Sequence, residues 1–375
     1  MIRVLLVFGT RPEAIKMCPV FMHLRDRSEE FEARVCVTGQ HRSMLDQVLD
    51  AFGVVPDHDL NVMTPGQSLA QATSRILAAT ESVLREERPD MVLVQGDTNT
   101  TLAGALGAFY QQIPVGHVEA GLRTWDLARP FPEEMNRVVT TKVSTLHFAP
   151  TVGAGRNLLT EGVPEERIAV TGNPGIDAVL WMRDALLSGR VKAGDWSFLD
   201  SSKRLIVVTA HRRESFGEGL EGICGGLARI ARRGDVEIVY AVHRNPNVEA
   251  PAQRILGAEP NVWLTEPLDY VNFVALVQRC YMVITDSGGI QEEGPSLGKP
   301  ILVTRDKTER PEAVEAGTVR LVGTDAEVIH REAARLLEAP EERERMARLH
   351  NPYGDGHASR RIGDAIQRFF AKCDE

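Results

Sequence analysis

Ile284-Thr285-Asp286-Ser287-Gly288-Gly289-Ile290-Gln291-Glu292-Glu293-Gly294 joins a β-rich run, Tyr281 to Thr285, directly to a helical stretch. Glycines let a backbone turn tightly and come close to a ligand. The open N–H groups and positive dipole end of the helix that follows suit a phosphate. Phosphate binding does not explain the Glu pair one turn into that helix. A carboxylate there suits sugar or ribose hydroxyls beside a diphosphate, so the joint points to a nucleotide sugar over a bare nucleotide. Taken alone, the segment also reads as an ordinary strand-turn-helix joint.

The same strand-then-helix alternation extends outward in both directions. Apolar runs at Ile2–Phe8, Ala33–Thr38, Met91–Gln95, Val115–Val118 and Leu146–Ala149 read as strands. Stretches of helical period lie between them, among them Ser68–Glu87 and Thr98–Gln111. A second series runs through Leu205–Thr209, Glu237–Val242, Val262–Thr265, Met282–Thr285, Ile301–Thr304 and Val319–Val322. Such alternation means βαβ units on parallel sheets. Thr171-Gly172-Asn173-Pro174-Gly175 separates the series and reads as a turn or hinge. The expected fold is α/β: two Rossmann-like doubly wound domains, residues 1–170 and 171–358, facing across a cleft. A final helix, about Ser359–Lys372, would carry residues 359–375 back to the first domain. Ligands of such sheets bind at the carboxyl ends of the strands.

With 375 residues the chain exceeds what one core usually supports. A hydrophobic share of 43% and a charged share of 25% are those of an ordinary globular protein. The net charge of −9 argues against a nucleic-acid backbone as partner. An anionic small molecule needs only a local cationic pocket. The apolar start, Met1 to Phe8, runs straight into Gly-Thr-Arg-Pro-Glu and reads as a first core strand rather than a signal peptide. No apolar run approaches a membrane span. The five scattered cysteines form no Cys-x-x-Cys pair and read as reduced core thiols of a cytoplasmic protein, with no metal site.

Candidate site residues cluster at strand ends. In Phe8-Gly9-Thr10-Arg11-Pro12-Glu13-Ala14-Ile15-Lys16, Pro12 suits a first helical turn. Arg11 and Lys16 fall near the cleft side; the alternative is a surface salt-bridge set with Glu13. Gln95-Gly96-Asp97-Thr98 ends another strand, and Asp97 reads either as a site carboxylate or as a helix cap. His117-Val118-Glu119 ends the next, with His117 better read as a packing histidine than as a zinc ligand. Glu133 and Glu134 open a helix after a proline-bounded loop; Glu134 suits the dipole, and Glu133 points toward the cleft. Three acids at consecutive strand-helix steps are costly unless used. In the second half, His211 with Arg212 and Arg213, then His243 with Arg244, end two strands, and Arg310 follows a third. These cations suit a diphosphate.

Taken together, FGTRPEAIKM, TGQHRSMLDQVL, QGDTNTTLAGALGAFY, HVEAGLRT, PFPEEMNR, TGNPGIDAV, TAHRRESFG, VHRNPNV, TDSGGIQEE and TERPEAVEAGT resemble the non-hydrolysing UDP-N-acetylglucosamine 2-epimerases of bacteria and archaea. The resemblance covers essentially the whole chain. It implies a fold like that of the B-type glycosyltransferases, interconversion of UDP-N-acetylglucosamine and UDP-N-acetylmannosamine, no added cofactor, and a homodimer. It maps the family's acidic trio onto Asp97, Glu119 and Glu133 and its histidine onto His211. Nucleotide contacts fall on Arg11, Ser287, Gly288, Glu293 and Arg310, with Lys16 near the reacting sugar; Gly289 of the same turn and Arg212 of the His-Arg-Arg cluster join them on the reading of the residues themselves. An activator site for a second UDP-N-acetylglucosamine falls on Gln40, His41 and Arg42. The segment Trp125 to Arg129 departs from the family's pattern.

The chemistry agrees. Carbon 2 of the sugar is not beside a carbonyl, so its proton is very weakly acidic. Oxidation would need a dinucleotide, and no Gly-x-Gly-x-x-Gly follows a strand. Elimination of UDP instead creates an oxocarbenium-like centre that carboxylates stabilise. Loss of the carbon-2 proton gives a glycal, and re-addition after protonation from the other face gives the epimer, feeding cell-surface polysaccharide. The rival readings are a hydrolysing epimerase that releases N-acetylmannosamine, a B-type glycosyltransferase and a non-catalytic nucleotide-sugar sensor.

Overall fold

The computed structural model describes residues 1–39, 42–64 and 66–373, the side chains of Arg42, Ser43 and Cys373 excepted. The element order begins β1 (Ile2–Phe8), α1 (Arg11–Asp26), β2 (Phe31–Val37), α2 (Arg42–Phe52), β3 (His58–Asp59), α3 (Leu69–Glu87), β4 (Met91–Gln95), α4 (Asn99–Tyr110) and β5 (Val115–Val118). It continues with α5 (Glu133–Val143), β6 (Leu146–Ala149), α6 (Val152–Thr160), β7 (Ile168–Val170) and α7 (Pro174–Leu187). Then follow β8 (Arg204–Thr209), α8 (Glu218–Ala231), β9 (Val236–Ala241), α9 (Pro246–Leu256), β10 (Val262–Thr265), α10 (Tyr270–Arg279) and β11 (Met282–Thr285). The chain closes with α11 (Gly288–Ser296), β12 (Ile301–Val303), α12 (Pro311–Glu315), β13 (Val319–Leu321), α13 (Ala326–Glu338), α14 (Pro340–Ala347) and α15 (Ala358–Cys373).

Two compact units result. One comprises Met1–Ala178 and Tyr353–Glu375, the other Val179–Pro352. The sequence reading drew the division at 170/171 and the return at 358/359; the chain instead changes unit within α7 and again just before α15. Asp177 explains part of this. Its carboxylate accepts the N–H groups of Ala358 (3.1 Å) and Ser359 (2.8 Å), so the first turn of α7 caps α15 within one unit.

The first sheet has the order β3-β2-β1-β4-β5-β6-β7 and the second β10-β9-β8-β11-β12-β13. Every strand pairing among the described residues is parallel. Each is the Rossmann order, with its reversal between β1 and β4 in one sheet and between β8 and β11 in the other. The central strands are apolar without alternation because both faces are covered by helices; Val4 to Phe8 and Met91 to Val94 are all buried. The helices that follow them begin where the sequence supplies caps. Thr10 and Glu13 form a capping box for α1, and Ser68 with Gln71 another for α3. Two strands absent from the sequence reading, β3 and β7, have two and three residues and sit at sheet edges, too short to leave a periodic signal. Strand β2 begins at Phe31, two residues before the expected start.

Cys18, Cys36, Cys224 and Cys280 are buried free thiols. Burial pushes those of Cys36, Cys224 and Cys280 up to about 12, so they stay protonated and unreactive. No described helix is long and apolar enough to cross a membrane.

Candidate active site

The switch points of the two sheets collect the polar residues. In the first unit a cleft of about 440 Å³ opens at the carboxyl ends of β1 and β4, lined by Thr10, Arg11, Asp97, Asn99, Glu133 and Asn136, with Pro12, Met44, Leu69, Thr98 and Pro132. It brings Arg11 together with two of the three expected acids. The cap of α4 is not Asp97 but Thr98, whose hydroxyl accepts the Thr101 N–H at 3.2 Å. Relieved of capping, the Asp97 carboxylate accepts from the Arg137 guanidinium, while its backbone carbonyl accepts from Asn136 Nδ2 at 2.8 Å. Burial raises the Asp97 pKa above the ordinary carboxylate range; the Arg137 charge opposes this and the Glu119 charge adds to it.

Glu119 stands one residue past β5 with φ of 63°, a left-handed conformation that a non-glycine residue rarely adopts. The donors that hold its carboxylate include Lys16 Nζ at 2.5 Å, Asn173 Nδ2 at 3.1 Å, and Gln95 Nε2. Strain at a single fully braced acid is the kind of outlier that gathers at functional sites. Lys16 therefore pairs with Glu119 and not with Glu13. Glu13 is itself 1% exposed, accepting from the Gly9 and Thr10 N–H groups and from the Thr98 and Thr101 hydroxyls. The surface salt-bridge alternative for this segment is thereby removed.

Glu134 is buried and does more than face its helix dipole. It accepts the N–H groups of Thr124 and Trp125, both at 3.0 Å, and Arg137 Nη1 at 3.1 Å, so it pins the loop that precedes α5. His117 is buried and packs beneath the strand end. Its Nε2 donates to the Gly96 carbonyl at 2.7 Å, and burial pushes its pKa down to about 3. No cluster of metal-ligating side chains occurs among the described residues.

In the second unit, Thr209 and Thr285 lie in register at the switch point, with their hydroxyls 2.7 Å apart. Ser287 caps α11 through its backbone position alone, with no side-chain cap bond, and leaves the first-turn N–H groups open. A Cβ on Gly288 would lie 3.7 Å from Arg212 Nη2 and 3.8 Å from Arg310 Cζ. Two guanidinium groups thus meet at one helix N-terminus, a site for a multiply charged anion. Each is braced. Arg212 Nη1 donates to Glu309 at 3.2 Å, and Arg310 Nε donates to the buried Glu292. The Glu pair is therefore divided: Glu292 holds Arg310, and Glu293 stays half-buried one turn behind Gly289, 3.8 Å from the place of a Cβ there. His211 stacks on His243, ring centroids 5.6 Å apart.

Sequence reasoning gave no site role to Asn173, Gln95, Asn136 or Arg137, although all four lie inside the motifs that carry the resemblance; Glu292 was noted only as half of a Glu pair, without its Arg310 partner. Gln40 and His41 lie outside the described residues, and of Arg42 only the backbone, which opens α2, is described.

Two doubly wound units with polar residues at both switch points place the chain in the GT-B-like class. More narrowly, it belongs to the UDP-N-acetylglucosamine 2-epimerase family, whose model matches residues 23–367. It is 56% identical over 372 residues to the UDP-N-acetylglucosamine 2-epimerase of Salmonella typhimurium, covering 98% of this chain and 99% of that one. It is 56% identical over 370 residues to that of Escherichia coli K12, covering 97% and 98%. Among solved structures, UDP-GlcNAc 2-epimerase from Neisseria meningitidis bound to UDP-GlcNAc is 47% identical with a TM-score of 0.89, over 98% of this chain and 100% of that one.

Proposed function

We propose that this protein is a non-hydrolysing UDP-N-acetylglucosamine 2-epimerase that interconverts UDP-N-acetylglucosamine and UDP-N-acetylmannosamine. The carrying observation is the division of labour between two braced clusters: paired guanidinium groups at an open helix N-terminus, and carboxylates held at the ends of β4 and β5 and the start of α5. Arg212, Arg310, Ser287, Gly288 and Gly289 take the diphosphate, Glu293 a hydroxyl of the nucleoside, and Arg11 a further polar group of the nucleotide sugar.

In the forward direction the bond from sugar carbon 1 to the diphosphate oxygen breaks, and the electron pair leaves with UDP. His211 and the guanidinium groups stabilise the charge that develops there. Asp97, Glu119 and Glu133 stabilise the cationic ring and take the proton from carbon 2, giving the glycal. Protonation of carbon 2 from the opposite face and return of UDP to carbon 1 complete the exchange, with no net loss of atoms. Burial raises the Asp97 pKa, which makes its carboxylate a better proton acceptor than an exposed aspartate and suits a group that takes a proton and returns it. Lys16, Asn173 and Gln95 keep Glu119 oriented. The epimer would supply N-acetylmannosamine units for surface polysaccharide.

Proton NMR of the protein with UDP-N-acetylglucosamine in heavy water tests this reading. The expected product is UDP-N-acetylmannosamine carrying deuterium at carbon 2. Accumulation of free sugar with UDP would place the chain with hydrolysing enzymes, and an unchanged spectrum would remove the epimerase reading. Glu119→Gln is expected to lower turnover by about 10²–10⁴. Near-normal turnover in that variant would take Glu119 out of the chemistry.

A further inference from the structure

Asp286 has no role in the account above, yet it is fully buried at the end of β11, directly ahead of the anion-binding turn. One of its oxygens, Oδ2, accepts the backbone N–H groups of His211 and Arg212, both at 2.6 Å. The other, Oδ1, has no hydrogen-bond partner among the described residues and lies 3.6 Å from His211 Nδ1. A buried carboxylate oxygen without a hydrogen bond is costly, and such groups persist where something uses them. The two amides lock the carboxylate plane, so Oδ1 is fixed on the ring's Nδ1 side. A separation of 3.6 Å is an ion-pair distance rather than a hydrogen bond, and such contacts tighten when a ligand arrives.

We propose that Asp286 is a positioning residue for His211: it holds the imidazole by its Nδ1 side and leaves Nε2 as the atom presented to the leaving diphosphate. This rests on the functional reading above for what Nε2 meets, but not for the Asp286–His211 contact itself. A carboxylate behind Nδ1 favours the tautomer with the proton on Nδ1 and stabilises the imidazolium, as carboxylates do behind other functional histidines. The described groups against the ring include Asp286 and the stacked His243. Arg212 is engaged with Glu309 and Arg244 with Glu266, while Arg213 and Glu214 follow on the segment that carries His211. Stacking alone cannot choose between the two ring nitrogens; the carboxylate can.

Nitrogen-15 NMR of histidine-labelled protein tests this directly, with the His211 signals assigned by their loss in His211→Gln. In the wild type, the neutral His211 ring should carry its proton on Nδ1; a ring protonated on Nε2 overturns the proposal. Asp286→Asn keeps an oxygen for the two backbone N–H groups but removes the charge. In that variant the His211 titration midpoint should fall by about one unit, because the imidazolium loses its counter-charge. An unmoved midpoint means that Asp286 serves only the backbone, and the proposal fails. In turnover, Asp286→Asn should lower kcat roughly ten- to a hundredfold, and the double variant with His211→Gln should lose no more than His211→Gln alone. Multiplying losses would overturn the proposal. Failure of wild-type protein to epimerise would sink the functional reading while leaving the titration result intact, so the two are separable.

Discussion

At the scale of single residues, the site depends on where a side chain is missing. Gly288 has an ordinary helical backbone, and an added Cβ would make only normal contacts with Arg212 and Arg310. That Cβ would nevertheless occupy the space the two guanidinium groups share. Gly288→Ala is therefore expected to leave stability within about 0.5 kcal/mol and to weaken UDP binding about tenfold, or 1.4 kcal/mol. Calorimetric titration with UDP, beside a thermal melt, separates the two effects; unchanged affinity would remove the anion from this helix end. Gly9 is a different case. Its Cβ would lie 1.9 Å from Thr38 Oγ1, so glycine there serves close packing of β1 against β2. Arg11 and Asp97 were legible because each closely follows a strand end, Glu133 because it opens a helix after a proline-bounded loop, and Arg310 because it lies beyond a strand. The partners were not legible. Lys16 and Glu119 are 103 positions apart, and nothing in either segment names the other.

At the scale of elements, α15 shows how a helix far along the chain is held to the first unit. Asp177 caps its start, and Arg27 of the turn after α1 donates to Asp364 at 2.8 Å. The loop ahead of α15 is clasped by Arg361, whose two terminal nitrogens donate to the two Asp355 oxygens at 2.8 and 2.6 Å. Arg361 holds the Asp355 pKa down at about 2. A depressed carboxylate stabilises the fold above its unfolded pKa of about 4, and that contribution is lost as the pH falls from there toward about 2. The pair is two-fifths exposed, so screening limits it. Asp355→Asn is expected to cost about 0.5–1 kcal/mol at neutral pH, with the gap to wild type closing below pH of about 4. Melting curves across pH follow this; a gap that widens in acid would contradict it. The sequence led to the expectation that this helix returns to the first domain, and its contacts show which residues hold it there.

At the scale of the whole molecule, the chain builds two cores rather than one. Leu227 on α8 is buried with Ile206, Ile238 and Leu336 in the core of the second unit. Leu227→Ala is expected to destabilise that unit by about 2–5 kcal/mol, and unfolding should then depart from a single transition. Amide hydrogen exchange would show the loss of protection concentrated in residues 179–352, with β1 and β4 still protected. Equal loss across both units would mean that the cores unfold as one.

The fold class, the doubly wound halves and the strand-end residues were determined by the sequence itself, because a strand buried on both faces must be apolar throughout and a helix must repeat near 3.6. Those are local requirements, written into neighbouring residues. The tertiary structure alone decided which donors brace Glu119, that Glu292 rather than Glu293 holds Arg310, that Thr98 frees Asp97 from capping, and where α7 passes from one unit to the other. The donors to Glu119 stand 24, 54 and 103 positions away from it and Arg310 stands 18 from Glu292, and a hydrogen bond formed only when the sheet order closes leaves no periodic trace in the chain.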